Sequence, residues 1–163
     1  MEKYSEVLKR LTTEDSELKR LSVESIVYLH DEIINSIGGT SGINDEKLLS
    51  WCSRSPYAVV EDEKLFPTIF DKAAKYIYEF AGRDIFADCN EGTALTVGLV
   101  FLWQNGYELN MAPEKLHQLI LNAANHKFKD ANEITPFIED NVRFISEQEK
   151  NKTVEEVFQT LFR

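Results

Sequence analysis

The chain has 163 residues and a formal charge of -10, from 18 basic and 28 acidic residues. That length can bury roughly two-thirds of the surface of one domain, and 43% hydrophobic with 11% aromatic residues excludes an intrinsically disordered chain. So acidic a surface repels nucleic acid and anionic membranes, so neither is expected as a partner.

The start, MEKYSEVLKRLTTEDSELKR, has no apolar core of a signal peptide, and no window approaches the ~18 apolar residues of a membrane span. Cys52 and Cys89 have neither CxxC spacing nor a histidine at metal-ligand spacing. They read as reduced thiols, and the protein as cytoplasmic.

In chain order, Tyr4 to Arg20 predicts a charged helix with a thin apolar stripe of Tyr4, Val7, Leu8, Leu11 and Leu18. Ser22 is suited to cap a second helix carrying Ile26, Leu29, Ile33, Ile34 and Ile37, and Gly38–Gly39 to stop it. Asp45 can cap a short helix through Leu48, Leu49 and Cys52. The stretch SRSPYAVVEDEKLFP combines Pro56, the pair Val59–Val60 and an acidic EDE, which predicts a β-hairpin flap turning at the charges.

After Pro67, TIFDKAAKYIYEFAG puts Ile69, Phe70, Ala73, Ala74, Ile77 and Phe80 on one face of a core helix ending at Gly82. TALTVGLVFLWQNG is apolar on almost every side, the mark of a central buried helix. Pro113 opens a helix through Leu121, ANEITPFIEDNV a shorter one, and VEEVFQTLF the last. The fold class is all-α, a helical bundle with a short hairpin flap, organised as a single domain over 1–163.

The loop GRDIFADCNEGTA feeds the central helix. Such a loop gathers unpaired N–H groups and the positive end of the helix dipole, as in an anion cradle. Asp88 or Asn90 is equally suited simply to cap the helix. Of the other chemistry-bearing residues, His30 reads as a packed or surface histidine. His117 and His126 fall in later helices with no motif partner nearby. Cys89 sits at a helix start, which lowers a thiol pKa, but acidic Asp88 and Glu91 flank it, so a structural role is expected.

The same loop resembles the signature of the Fic/Doc (Fido) family, roughly H-x-F-x-D/E/N-x-N-K/G-R, read here as Asp84, Ile85, Phe86, Ala87, Asp88, Cys89, Asn90, Glu91 and Gly92. VYLHDEIINSIGGTSGINDEKLLSWCSRSP upstream and TALTVGLVFLWQNGYEL downstream are similar to its death-on-curing branch. The resemblance runs from Leu21 to Leu121. It leaves residues 1–20 as an N-terminal extension and 122–163 as C-terminal helices.

The resemblance implies a helical fold whose loop binds nucleotide phosphates. It gives the family's His the role of general base, the acidic residue a divalent metal, and the Asn and Arg the phosphates. Most members transfer AMP from ATP to a protein (AMPylation). The death-on-curing toxins instead phosphorylate a translation factor, with a flap presenting the target strand and an antitoxin obstructing the site.

Three positions depart from that pattern. Asp84 stands where the family has His, and Glu91 and Gly92 where it has a basic pair, while Phe86, Asp88 and Asn90 match. Exchanging two cations for one carboxylate weakens phosphate binding. A charge at ~4 Å in an effective dielectric near 20 is worth about 4 kcal/mol, and a third of that is about a decade in affinity. A general base contributes about 10²–10⁴ in rate, and a carboxylate of ordinary pKa ~3.9 is a weaker base than an imidazole of ~6.5.

The expectation is a catalytically degenerate protein, a pseudoenzyme with no resident cofactor. It binds a protein partner, target or antitoxin-like, in a toxin–antitoxin or phage setting. Asp84, Asp88 and Asn90 mark the relic catalytic site, and Phe86, Asn90, Glu91 and Gly92 the relic phosphate loop. Asp88 is the candidate metal ligand, and Tyr57, Val59 and Val60 of the flap the candidate partner strand.

The rival expectation is an active transferase of altered chemistry, with Asp84 as base and Mg²⁺ and a nucleotide bound. A third is a Ca²⁺ or Mg²⁺ site built from Asp84, Asp88 and Glu91.

Overall fold

A computed structural model describes residues 18–162. Helix α1 (Val23–Ile37) begins where the Ser22 side chain accepts the Ser25 N–H, and it stops at Gly38, whose φ is 84°. Helix α2 (Glu46–Arg54) is capped by Asp45 onto the Leu48 N–H. A 3-10 turn (Ser55–Tyr57) then leads to strands β1 (Val59–Val60) and β2 (Glu63–Lys64), which pair antiparallel as Val59↔Lys64 and Val60↔Glu63. The flap therefore turns at the charges, with Glu61 and Asp62 both at positive φ (51° and 64°). That is the backbone of a two-residue hairpin turn, in which Asn-Gly is usual.

Helix α3 (Ile69–Gly82) opens with a capping box, Thr68 and Asp71 each satisfying the other's backbone. Helix α4 (Asn90–Gln104) is its main packing partner. They approach closely because Gly98 faces Ile77; a Cβ there would lie 2.8 Å from Ile77 Cγ1. Phe70, Tyr76, Ile77 and Phe80 of α3 and Val97, Val100, Phe101 and Leu102 of α4 are buried together in the main core.

Strand β3 (Tyr107–Leu109), helix α5 (Pro113–Ala124), helix α6 (Thr135–Glu139), strand β4 (Val142–Phe144), helix α7 (Glu147–Lys150) and helix α8 (Val154–Phe162) complete the described chain. The C-terminal segment is tied to the end of α4. Trp103 Nε1–H donates to the Glu149 carbonyl at 2.8 Å, and Gln104 Nε2–H to that of Lys152 at 3.2 Å. No helix among the described residues is long and apolar enough to cross a membrane.

The helical bundle with its short hairpin is the expected architecture, with four differences. A second antiparallel pair, β3 with β4, is present; it closes over Tyr107, whose ring meets Phe70 and Phe144. The stretch ANEITPFIEDNV divides into a 3-10 turn, α6 and the start of β4. The charged helix read over 4–20 lies almost wholly outside the described residues, and 18–20 are not helical. The cap of α4 is neither Asp88 nor Asn90 but Cys89, in the left-handed region at φ 59° and without a side-chain cap bond.

Candidate functional site

The motif occupies the loop between α3 and α4, strapped along the segment that follows α1. Ala87 N–H donates to the Gly42 carbonyl at 2.9 Å, Asn44 N–H to that of Ile85 at 2.8 Å, and Ile43 bridges Phe86. Asn44 Nδ2–H adds bonds to the carbonyls of Phe86 (3.1 Å) and Asp84 (3.3 Å). Phe86 is the anchor its position suggested. Its ring is buried and stacked on His30, with centroids 3.9 Å apart and planes 9° from parallel.

Above the loop lies a cleft of about 640 Å³ that takes in Asp84, Asp88, Asn90, Glu91 and Gly92. The structure thus gathers the motif positions around one space. The Asp84 side chain is exposed. The first turn of α4, where helix N–H groups have no intrahelical acceptor, contributes Asn90, Glu91 and Gly92 to the lining.

Asn90 does not offer its amide to the cleft. Its Oδ1 accepts the Phe86 N–H and its Nδ2–H donates to the Phe86 carbonyl, both at 2.9 Å. Both ends of the side chain are committed to the backbone of one residue, Phe86, so Asn90 works here as a loop clamp.

Asp88 is likewise part of the strap. Oδ2 accepts the Thr40 N–H at 3.1 Å and Oδ1 the Cys89 N–H at 2.8 Å. These bonds, Thr40 first and Cys89 next, hold its carboxyl below the usual carboxylate range. The contact explains Gly39, at φ 128°, where a Cβ would lie 2.8 Å from Asp88 Oδ2. An ionised carboxylate with lone pairs left over fits the single protein ligand that Mg²⁺ takes alongside phosphate oxygens. It does not make a metal site alone.

The cluster of Asp84, Asp88 and Glu91 expected as a cation site is not formed. Among the described residues no group of three or more His, Cys, Asp or Glu side chains is placed to hold a metal ion. The Asp88 carboxylate is turned onto the Thr40 amide.

Cys89 behaves as a structural thiol: burial and then Asp88 push its pKa up, away from a nucleophile. Cys52 is fully buried, and burial, then Glu79, pushes its pKa up to about 12.

His126, read from the sequence as lacking any motif partner, lines this same cleft. It follows α5 at φ 57° and brings its imidazole over Gly82, where a Cβ would meet Cε1 at 3.4 Å. No pattern in NAANHKFKD linked it to a loop forty residues upstream. Asn44 gave no signal either. Among the described lining residues there is no Lys or Arg. Arg83, next to Asp84, is turned away onto the buried Glu79 (2.5 Å) and over the Trp51 ring.

On the flap, Val59 and Val60 are 54% and 53% exposed. Tyr57 differs from its expected place on that strand. It lies in the 3-10 turn, half-buried, with its hydroxyl 3.1 Å from that of buried Tyr76 and its ring under Arg20 at 3.5 Å. It anchors the flap; Val59 and Val60 are the side chains left on its outside.

A helical bundle with a hairpin flap and a strapped loop entering a central helix defines the class. The family model described as the Fic/DOC family matches residues 20–102, and the chain belongs to that family. It is similar to the protein kinase doc of Escherichia phage P1, being 33% identical over 107 residues that cover 66% of this chain and 83% of that protein.

Proposed function

We propose that this chain is a catalytically degenerate member of the Fic/DOC family that acts by binding a protein, without AMP or phosphoryl transfer. One observation carries the reading: the cleft presents Asp84, Asp88 and Glu91 with no Lys or Arg among its described lining residues. A nucleotide triphosphate entering it meets repulsion where the family pattern supplies a bidentate guanidinium. The commitment of Asn90 to the Phe86 backbone supports the same reading.

The partner is a protein, target or antitoxin-like, in a toxin–antitoxin or phage setting. Its basic side chains suit the acidic cleft. Its extended segment suits the exposed Val59–Val60 edge, because strand addition uses backbone bonds and not a base. A transfer assay with labelled ATP, Mg²⁺ and a translation extract tests this: no protein should acquire label.

A second reading is favoured by the exposed Asp84 at the cleft. An altered transferase would use Asp84 as base, with Mg²⁺ at Asp88 and a nucleotide donor. Labelling that appears with wild type and vanishes in Asp84→Ala would establish it and sink the first.

A further inference from the structure

Beneath the motif loop lies a buried histidine on which neither reading calls. His30 is 1% exposed; its ring stacks on Phe86 and its Nε2 is 2.9 Å from the Asp88 carbonyl oxygen. We propose that His30 is the positioning residue of the motif loop, its Nε2–H holding the Asp88–Cys89 peptide in the orientation that starts α4 at the cleft.

The reasoning begins with Cys89. A non-glycine residue in the left-handed region is disfavoured and persists only where its surroundings over-determine it. Rotating the Asp88–Cys89 peptide about its flanking bonds would relax Cys89 out of φ 59°. Two bonds oppose that rotation, one at each end of the peptide. The Cys89 N–H is held by Asp88 Oδ1 at 2.8 Å, and the Asp88 carbonyl by His30.

The first is made between neighbouring residues, through a carboxylate whose other oxygen accepts the Thr40 N–H. Only the second reaches into another element, since His30 sits on α1. A carbonyl oxygen can only accept, so the proton must sit on Nε2. The other nitrogen, Nδ1, faces Asp31 Oδ1 at 3.5 Å. If the peptide turned, the Cys89 N–H would leave Asp88 Oδ1, and the carboxylate that holds the Thr40 N–H in the strap would lose that orienting bond. The loop is therefore pre-set from α1, whether the cleft receives a protein side chain or a nucleotide.

The imidazole contributes both a stacked ring and a donor, and two variants separate them. His30→Phe keeps a ring against Phe86 and removes the donor; His30→Gln keeps a donor and removes the ring. Nuclear magnetic resonance of the labelled chain reads the Cα and Cβ shifts of Cys89, which report left-handed φ, and hydrogen exchange at the Thr40 and Cys89 amides. In His30→Phe the left-handed signature should disappear and exchange at both amides should rise at least about tenfold. His30→Gln should keep both near wild type.

A His30→Phe chain with wild-type Cys89 shifts and exchange overturns the proposal, as does a His30→Gln chain that fails to rescue. Should either variant not fold, the imidazole ¹⁵N spectrum of the wild type decides: a proton on Nε2 is required, and an Nδ1–H-only tautomer overturns it.

Discussion

Restoring the missing cations should restore nucleotide binding, and the size of the gain can be worked out. The perturbation is Glu91→Lys with Gly92→Arg, at the first turn of α4 where both residues line the cleft. There is room for the second: a Cβ at Gly92 would lie 3.6 Å from Ile33 Cγ2, an ordinary contact. A charge pair at ~4 Å is worth about 4 kcal/mol at an effective dielectric near 20. The cleft is open to solvent, so a third of that, about a decade in affinity, is the fair allowance per charge step. Lysine at 91 removes one repulsion and adds one attraction, and arginine at 92 adds another.

Three steps give about 10³. Two cations at a helix N-terminus cost the fold about 0.3–1 kcal/mol each, but that cost is the same with and without ATP and leaves the gain in affinity at about 10³-fold. Calorimetric titration with ATP and Mg²⁺, repeated at raised salt to expose the screened part, measures it. A double variant that still unfolds cooperatively by circular dichroism and shows no gain in affinity would refute the reasoning. Loop geometry, not charge, would then bar the nucleotide.

Asn90→Ala should lower the urea midpoint by about 1–3 kcal/mol equivalent, because it leaves the buried Phe86 N–H without its acceptor; an unchanged midpoint would mean the clamp is not formed. Gly98→Ala gains about 1 kcal/mol of helix propensity but drives a methyl to 2.8 Å from Ile77 Cγ1. Overpacking of about 1–3 kcal/mol should prevail, and Ile77→Val in the same chain should return part of the loss. Asp88 has a folded pKa below its unfolded one. Its contribution is therefore present above the unfolded value of ~3.9 and is lost as pH falls through that value toward the folded one. Asp88→Asn should flatten the acid limb of a melting-temperature profile, and an identical limb would deny the Thr40 and Cys89 bonds.

What was legible follows from how local each signal is. Ser22, Gly38 and Asp45 act within one turn of their own helix, and the structure uses each as read. The flap was visible because Val59–Val60 and the acidic turn are adjacent in sequence. The pair β3–β4 was not, because Tyr107–Leu109 meets Val142–Phe144 across more than thirty residues with no pattern of its own.

In the site, the motif spacing located the cleft but misjudged what the side chains do. Asn90 looks like a ligand contact until its amide is seen closing on the Phe86 backbone. Asp88 looks like a helix cap until its carboxylate is seen on Thr40. His30, Asn44 and His126 reach the loop only through the tertiary fold.

The central claim is that this cleft no longer holds a nucleotide. Calorimetric titration of ATP with Mg²⁺ into the purified wild-type chain, at moderate salt, tests it most directly. No heat above dilution up to millimolar ATP is the predicted result. Saturable binding at micromolar strength would contradict the account and return the chain to the active transferases.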